Sequence, residues 1–360
     1  MDERLAAVVA NWSARFVAND IDPLDVERTM AGVTSWDSWA DAWEATADGY
    51  ITRADAATSA GHHITAAAFR RRAALILQFA QFVLNDDPDR RRALHARQVD
   101  QFRRAAPDLD PPALPYRLTT DDGAEVHGYV RRPERAHGVV LLLPGLESTK
   151  EQFSTFEPYL LERGLVTVSV EGPGQGEAHA SHPFLLDPYL RAYAAVRHWV
   201  DGPDGVPGLP VGVLGTSFGG FLALRCAVAD DVVPGLTQPA AVVAIAGPHT
   251  LTPLGDLQPI LQEGFVHLSG AADVAEADRL LADVTLTGHL TRLTAPTLIV
   301  HGDADRVIPV SHGDRIAAEL GDRADYDRVV GGSHSCNNHH TTVRPRVGDW
   351  LADRLAAAST

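Results

Sequence analysis

The chain has 360 residues, of which 45% are hydrophobic and 22% are charged, a globular composition with room for one large domain and a smaller one. Its 47 acidic residues exceed its 31 basic residues and give a net charge of −16, which argues against partners such as nucleic acid or an anionic membrane. The chain has only two cysteines, Cys226 and Cys336, and begins Met-Asp-Glu-Arg without an apolar segment, so we expect a cytoplasmic protein without a signal peptide.

Residues 1–106 are predicted to form an all-helical domain, because apolar side chains recur there at helical spacing. The pairs Asp22-Pro23 and Asp87-Pro88 are typical of helix starts, in which an aspartate caps the helix and a proline occupies its first turn. Residues 107–115 are rich in proline and form the best candidate for a linker between two domains.

Two features of the helical region suggest a ligand but have a simpler explanation. Trp36, Trp39 and Trp43 recur at helical spacing, which favours packing in a helical core over the lining of a ligand pocket. The neighbouring rings of His62 and His63 would point apart on a helix, which favours an exposed helix start over a metal site.

From residue 116 to residue 360 the pattern changes to strands that alternate with helices, which predicts a mainly parallel sheet flanked by helices. A hairpin is expected first, with strands at Tyr116–Thr120 and Glu125–Arg131. The stretch 247–292 is longer than a simple crossover and is expected to form extra, lid-like helices. The remaining strands are predicted at Val139–Leu143, Leu165–Val170, Val211–Leu214, Ala241–Ala246, Thr297–Val300 and Asp325–Val330, with helices near 151–163, 187–200, 218–229, 311–320 and 344–357.

The segment Gly215-Thr216-Ser217-Phe218-Gly219 lies between a predicted strand and a predicted helix and has the pattern G-x-S-x-G. A nucleophilic serine on such a strained turn needs small residues two positions away on either side, so that strand and helix can approach each other. The turn also leaves the amide of Phe218 at a helix N-terminus, where it can stabilise developing negative charge. The pattern therefore predicts Ser217 as a nucleophile.

A serine nucleophile needs a base and an acid that orients the base, and in this fold the chain order is serine, acid, histidine. After the strand at Thr297–Val300 the sequence offers Asp305, with Asp303 as the reserve candidate. After the strand at Asp325–Val330 it offers His334 on a glycine-containing loop. His339 and His340 compete with His334, but their positions favour solvent or a helix start.

The loop after the strand at Val139–Leu143 should supply a second amide for an oxyanion hole, and Leu146, which follows the flexible Gly145, is the expected donor beside Phe218. The glycine-rich segment at 172–176 lacks a following Lys-Ser/Thr pair, which favours a loop after a strand over a phosphate-binding loop. We expect neither a metal nor a cofactor.

Five segments carry a resemblance to a known family: P-G-L-E-S-T-K-E at 144–151, E-G-P-G-Q-G-E at 171–177, G-T-S-F-G-G at 215–220, H-G-D-A-D at 301–305 and G-G-S-H at 331–334. Together with the helical region they resemble a branch of the α/β-hydrolases, that of 2,6-dihydroxypseudooxynicotine hydrolase and related polyketide-shortening hydrolases. The resemblance implies an α/β-hydrolase fold, a helical cap contributed mainly by residues 1–106, a Ser217–Asp305–His334 triad and, often, a homodimer.

Members of that branch include C–C bond hydrolases of β-diketone-like substrates, and related sequences of tetronate antibiotic pathways eliminate acetate from an acetylated ring. The C–C hydrolases carry an additional acid in the lid, whereas the corresponding stretch here, 255–259, reads Gly-Asp-Leu-Gln-Pro and has no clear glutamate. We therefore expect hydrolysis of an ester or C–C bond of a small polyketide-like molecule. The alternatives are a lyase that eliminates a carboxylate such as acetate and a catalytically silent small-molecule-binding protein.

Overall fold

A computed structural model describes residues 3–251 and 253–358 of the chain. The chain divides into two compact units. The helical unit comprises residues 1–115 together with residues 151–155, and the sheet unit comprises residues 116–150 and 156–360. Among the described residues, no helix combines the length and the apolar character that crossing a membrane requires.

The described residues of the helical unit form five α-helices, in agreement with the predicted all-helical region. Asp22 accepts a hydrogen bond from the amide of Leu24, and Asp87 accepts one from the amide of Arg90, so both predicted caps are confirmed. The helices are α1 (Glu3–Ala18), α2 (Pro23–Gly32), α3 (Trp39–Ser59), α4 (His63–Gln81) and α5 (Pro88–Ala105).

Aromatic rings form the core of the helical unit. Phe16 of α1 lies 4.8 Å from the ring of Trp43 in α3 and 4.8 Å from the ring of Phe79 in α4. Trp39 is fully buried and donates its indole N–H to the carbonyl of Phe79 over 2.8 Å. The prediction that the tryptophans pack in a core is therefore confirmed, and the exposed His63 begins α4 as expected.

A short segment from the second half of the chain belongs to the helical unit. Residues 151–155, predicted as the start of a helix in the sheet domain, form a 3₁₀ turn instead. Gln152 accepts a hydrogen bond from Arg15 over 2.8 Å, and Ser154 accepts one from Arg71 over 3.1 Å. These partners are distant in sequence, which explains why a local pattern does not reveal the assignment.

In the part of the chain that the structure describes, one sheet has eight strands in the spatial order β1-β2-β4-β3-β5-β6-β7-β8, and the sheet unit is built on it. Strands β2 and β4 run antiparallel, whereas β4, β3, β5, β6, β7 and β8 form a continuous parallel series. The strands are β1 (Leu114–Thr119), β2 (Glu125–Arg131), β3 (Gly138–Leu143), β4 (Leu165–Glu171), β5 (Val211–Thr216), β6 (Ala241–Ile245), β7 (Thr297–Gly302) and β8 (Ala324–Val329).

The central strands are buried along their whole length, as expected for a parallel sheet covered on both faces. The covering helices are α6 (Glu157–Leu161), α7 (Leu186–Asp201), α8 (Phe218–Ala227), α9 (Pro259–Ser269), α10 (Val274–Leu280), α11 (Ser311–Leu320) and α12 (His340–Ala358). Helices α9 and α10 lie in the stretch 247–292, which was predicted to contain extra helices.

The strand order determines where a ligand can approach. The connection from β3 leads outward to β4, and the next connection returns across β3 to β5. At such a reversal the loops at the carboxyl ends of neighbouring strands diverge and leave a crevice. The loops that follow β3 and β5 are residues 144–150 and the turn at Ser217, so the topology brings the two predicted halves of the site together.

Candidate active site

Ser217 occupies a sharp turn between β5 and α8. Its backbone has φ 57° and ψ −129°, an unfavourable conformation for a residue with a side chain. The glycines on either side permit the turn: a Cβ on Gly215 would lie 1.8 Å from the carbonyl oxygen of Gly219, and one on Gly219 would lie 2.1 Å from the carbonyl oxygen of Leu143. The amide of Ser217 is held by the carbonyl of Ile245 at 2.8 Å. The turn is thus the strained, closely packed elbow that the sequence predicts.

His334 lies between Ser217 and Asp305. Its Nε2 atom is 2.9 Å from Oγ of Ser217, and its Nδ1 atom is 2.8 Å from Oδ2 of Asp305. The ring is buried, and the side chain of Asp305 is fully buried. Sequence separations of 117 and 29 residues are closed here because all three residues follow strands of one parallel sheet.

Backbone amides fix the carboxylate of Asp305. Its Oδ1 accepts hydrogen bonds from the amides of Val307 at 2.8 Å and Ile308 at 2.9 Å, which leaves Oδ2 for His334. Burial by itself would raise the pKa of Asp305, but the neighbouring His334 and the two amides outweigh it and lower the pKa below its usual value. The ionised carboxylate can only accept, so Nδ1 of His334 donates and Nε2 of the neutral ring can accept the proton of Ser217.

The other acid and base candidates lie in different environments. Asp303 is exposed and accepts a hydrogen bond from the amide of Gly331 over 2.7 Å, so it braces the loop that carries His334. His339 ends a 3₁₀ turn, and His340 begins α12. None of the three has a described hydrogen bond to Ser217.

Two backbone amides are available beside Ser217. The amides of Phe218 and Leu146 donate no hydrogen bond to any group in residues 3–251 and 253–358. The loop of Leu146 reaches the nucleophile, because a Cβ on Gly145 would lie 3.0 Å from Cβ and 3.5 Å from Oγ of Ser217. Unpaired N–H groups at this position can stabilise an oxyanion that forms on a carbonyl attacked by Ser217.

Three buried or half-buried histidines lie behind the acid, and sequence reasoning gave them no role. His301 approaches Asp305, with 3.6 Å between Nε2 and Oδ2, while its Nε2 is 2.9 Å from the carbonyl oxygen of Ile308. His312 accepts a hydrogen bond from the amide of His249 over 3.0 Å. Burial lowers the pKa of all three, which favours neutral rings.

A second feature missed by sequence reasoning ties the loop after β3 to the loop after β4. Lys150 donates to both carboxylate oxygens of Glu171, from its amide and from Nζ, over 2.8 Å each. Gln175 donates from Nε2 to the carbonyl of Pro144 over 3.1 Å. Sequence reasoning used segments 144–151 and 171–177 for the family resemblance and correctly predicted a loop at 172–176, but it gave these side chains no role.

Comparisons with known proteins identify the family of the chain. The 2,6-dihydropseudooxynicotine hydrolase of Paenarthrobacter nicotinovorans is 36% identical over 306 residues, which cover 82% of this chain and 79% of the relative. The chain belongs to the α/β-hydrolase superfamily, in the branch of this hydrolase. No model of a protein family matches the chain.

Solved structures show the same fold. The crystal structure of the 2,6-dihydroxy-pseudo-oxynicotine hydrolase matches with a TM-score of 0.84 and 31% identity, and 97% of each chain is covered. AbyA5 matches with a TM-score of 0.70 and 20% identity over 98% of this chain and 96% of its own. The Pyrococcus furiosus esterase Pf2001 matches over 69% of this chain and 92% of its own, with a TM-score of 0.52 and 16% identity. The protein is thus an enzyme of the hydrolase family with a mainly parallel sheet and an N-terminal helical region.

Proposed function

We propose that the protein is a serine hydrolase that cleaves an ester or a C–C bond next to a carbonyl in a small, polyketide-like molecule. Ser217 attacks the carbonyl carbon while His334 takes the hydroxyl proton and Asp305 holds the imidazole. The amides of Phe218 and Leu146 stabilise the oxyanion. His334 then returns the proton to the leaving group, and water releases the acid from Ser217.

One observation carries this proposal: a single imidazole joins Ser217 and Asp305, at 2.9 Å from Nε2 and 2.8 Å from Nδ1. Contacts of this length on both ring nitrogens give His334 the geometry of a general base with a fixed tautomer. A histidine that only filled space would not need a buried, ionised carboxylate on one side and a hydroxyl on the other.

The substrate class is supported by the relatives. The hydrolase of Paenarthrobacter nicotinovorans is named for 2,6-dihydropseudooxynicotine. The resemblance carried by the five sequence segments implies a branch that includes C–C hydrolases. We propose that the helical region, as a cap, selects the substrate and that the enzyme is a homodimer without a cofactor. Light scattering tests the dimer, and a chain that begins at residue 116 tests whether turnover of the substrate needs the helical region.

The proposal is tested by removing the nucleophile. Ser217→Ala should lower kcat for p-nitrophenyl acetate by at least about 10⁴-fold, because it removes the only atom that forms the acyl-enzyme. Labelling by a fluorophosphonate should disappear as well, while the thermal transition is unchanged. Ser269→Ala is a suitable control, because Ser269 is a buried serine that bonds only to backbone carbonyls within its own helix α9. A Ser217→Ala enzyme that kept most of its turnover would exclude the acyl-enzyme route.

A lyase is the second candidate function, and it is supported by the composition of the lid stretch 255–259. The only acid between residues 255 and 259 is Asp256, which is exposed and lies in a short 3₁₀ turn. The additional lid acid of the C–C hydrolases therefore has no buried counterpart in this stretch. In an elimination His334 removes a proton beside a carbonyl, the electron pair forms a double bond, and the neighbouring C–O bond breaks to release the carboxylate.

A β-acetoxy ketone in oxygen-18 water separates the two reactions. Hydrolysis through Ser217 gives a hydroxy ketone and acetate that carries one solvent oxygen, because water attacks the acyl-enzyme. Elimination gives an unsaturated ketone and acetate whose two oxygens both come from the substrate. Labelled acetate in each turnover would exclude direct elimination, whereas unlabelled acetate with the unsaturated ketone would exclude hydrolysis of this ester.

A further inference from the structure

The loop that carries Leu146 is held at both ends by buried side chains from the end of β4 and from the loop that follows it. At one end Gln175, which is 2% exposed, donates to the carbonyl of Pro144 over 3.1 Å. At the other end Lys150, also 2% exposed, is bound twice by the fully buried carboxylate of Glu171. Buried polar groups of this kind hold one geometry, because each would lose a hydrogen bond without access to water if the loop moved.

The loop needs such support because glycine precedes the critical amide. Gly145 has no side chain to restrict its dihedral angles, so the peptide group that contains the N–H of Leu146 can rotate at little intrinsic cost. Within the loop, the carbonyl of Gly145 accepts only a long hydrogen bond, 3.3 Å, from the amide of Ser148. A rotated peptide would turn the Leu146 N–H away from the carbonyl that Ser217 attacks.

The contacts of Gln175 define the orientation of its side-chain amide. The amide of Gly172 faces Oε1 at 3.4 Å, and the carbonyl of Pro144 faces Nε2 at 3.1 Å. Exchanging the two atoms would bring donor to donor and acceptor to acceptor, so Nε2 is the atom that faces Pro144.

The glycine-rich segment is shaped so that Gln175 can reach Pro144. The amide of Gln175 donates to the carbonyl of Gly172 over 3.0 Å and closes a turn directly after β4. Gly176 has φ 44°, and a Cβ there would lie 2.0 Å from the carboxyl carbon of Glu171. The segment therefore wraps around the same carboxylate that binds Lys150, which couples the two anchors of the loop.

We propose that Gln175 is a positioning residue for the oxyanion hole. Its side-chain amide holds the carbonyl of Pro144. This contact restricts the backbone two residues before Leu146 and so keeps the Leu146 N–H directed at the oxyanion. The proposal rests on the serine hydrolase mechanism above. It predicts that loss of the Gln175 donor weakens binding of the transition state much more than binding of the substrate.

Gln175→Met tests the proposal, because methionine has similar length and volume but no donor. With p-nitrophenyl acetate we expect kcat to fall by about 10- to 100-fold and KM to change by less than about threefold, since loss of a whole oxyanion donor costs about 10²–10³ in kcat. The affinity for a boronic acid, whose adduct with Ser217 presents an oxygen to the same amides, should fall by the same factor as kcat. Should the methionine variant not fold, Gln175→Asn keeps the amide but is one methylene too short to reach Pro144.

Gln175→Glu supplies a signature that a purely structural role would not give. At neutral pH the carboxylate cannot donate and repels the Pro144 carbonyl, but a protonated carboxyl can donate in the same place. The ratio of its kcat to that of the wild type should therefore rise as the pH falls from about 8 to about 5.5, because a buried carboxyl facing a carbonyl protonates readily. A ratio that stays flat over this range would overturn the proposal.

Gln238→Met is the matched control. Gln238 also joins two loops through its side-chain amide, by donating to the carbonyl of Arg292 over 2.7 Å and accepting from the amide of Thr294 over 2.9 Å. These loops precede β6 and β7 and so lie at the amino ends of the strands, whereas the candidate site lies at their carboxyl ends. This variant should therefore lose thermal stability but keep its kcat. A folded Gln175→Met enzyme with the kcat and boronate affinity of the wild type would disprove the positioning role alone. Turnover that survives Ser217→Ala would instead disprove the proposed function.

Discussion

The helical unit and the sheet unit differ in the burial of particular ion pairs and in the location of backbone strain. On the α3–α5 face of the helical unit, ion pairs such as Arg90–Asp41 and Arg97–Asp48 join a half-buried arginine to an exposed aspartate. The sheet unit instead buries an ion pair, Lys150–Glu171, beside the loop of the candidate oxyanion hole. Exposed pairs add little stability, and buried pairs cost desolvation energy, so a buried pair is best explained by the geometry that it holds.

Backbone strain is also concentrated in the sheet unit. Among the described residues, five other than glycine have positive φ, and only Asp20 belongs to the helical unit. The other four are Ser217, Ala246 and the consecutive Ser335 and Cys336, which follow β5, β6 and His334. Strain of this kind persists only where the surrounding structure enforces it, and it is concentrated at functional sites. In the sheet unit, strained backbone conformations thus include the turn at the proposed nucleophile and the residues after the proposed base. The helical unit consists mainly of regularly packed helices.

After Ser217→Ala, the largest effect should follow from Asp305→Asn in the sheet unit. An asparagine can keep Oδ1 for the amides of Val307 and Ile308, but its NH₂ group then faces Nδ1 of His334. The ring must accept at Nδ1 and carry its proton on Nε2, so it can no longer take the proton of Ser217. We expect kcat to fall by about 10³- to 10⁴-fold while the fold is retained, as measured by steady-state kinetics and circular dichroism.

Asp303→Asn is the matched control for this prediction. Asp303 is also an acid of the loop after β7, but it contacts the amide of Gly331 rather than His334. Its asparagine variant should keep kcat within about threefold, because an amide oxygen can accept the same hydrogen bond. If the two variants lost activity equally, the assignment of Asp305 would be wrong.

The next largest effect should be on stability, in the helical unit. Trp43 is fully buried and contacts Phe16 and Phe79, so Trp43→Ala should lower the free energy of unfolding by about 3–5 kcal/mol. Its indole N–H has no hydrogen-bond partner in the part of the chain that the structure describes. Trp43→Phe should therefore cost less than about 1.5 kcal/mol, since it removes no hydrogen bond and keeps most of the apolar volume. Urea denaturation measures both, and equal losses would contradict the apolar explanation.

The features of the sheet unit that depend on a local sequence pattern could be predicted from the sequence alone. Ser217, Asp305 and His334 each follow a strand at a recognisable spacing, and the parallel sheet brings their side chains within hydrogen-bond distance. The anchors of the oxyanion loop were not predictable, because Lys150–Glu171 and Gln175–Pro144 join residues 21 and 31 positions apart without a periodic signal. For the same reason the segment 151–155 was not recognised as part of the helical unit, since its partners Arg15 and Arg71 are 137 and 83 positions away.

A smaller effect should be a loss of stability as the pH falls, caused by histidines of the sheet unit. The pKa values of His249, His301 and His312 are lowered by burial, so the folded protein binds fewer protons than the unfolded chain just below the usual histidine pKa of about 6.5. The contribution of these neutral histidines to the free energy of unfolding is fully present above that pH. It is lost as the pH falls towards their folded pKa values. The free energy of unfolding should thus be lower at about pH 5.5 than at about pH 7.5.

Variants of single histidines locate this pH dependence. His312→Asn keeps an acceptor for the amide of His249 and removes a titrating ring, so it should reduce the difference between the two pH values. His63→Asn changes an exposed histidine of the helical unit and should leave the difference as it is in the wild type. Denaturation curves that respond equally to both variants would show that the acid sensitivity is not specific to the buried cluster.

The smallest effect should come from the exposed ion pairs of the helical unit. Arg97 in α5 pairs with Asp48 over 2.5 Å and with Glu44; Asp48 is exposed, and Arg97 is half-buried. Arg97→Gln should lower the free energy of unfolding by less than about 1 kcal/mol, because water already solvates these charges well. The double-mutant cycle with Asp48→Asn isolates the pair, and its coupling energy should shrink further in about 1 M salt, where the Debye length is only about 3 Å. A coupling above about 2 kcal/mol that persists in salt would mean that the helical unit also relies on charge to hold its geometry, and the contrast with the buried pair at Lys150 would then fail.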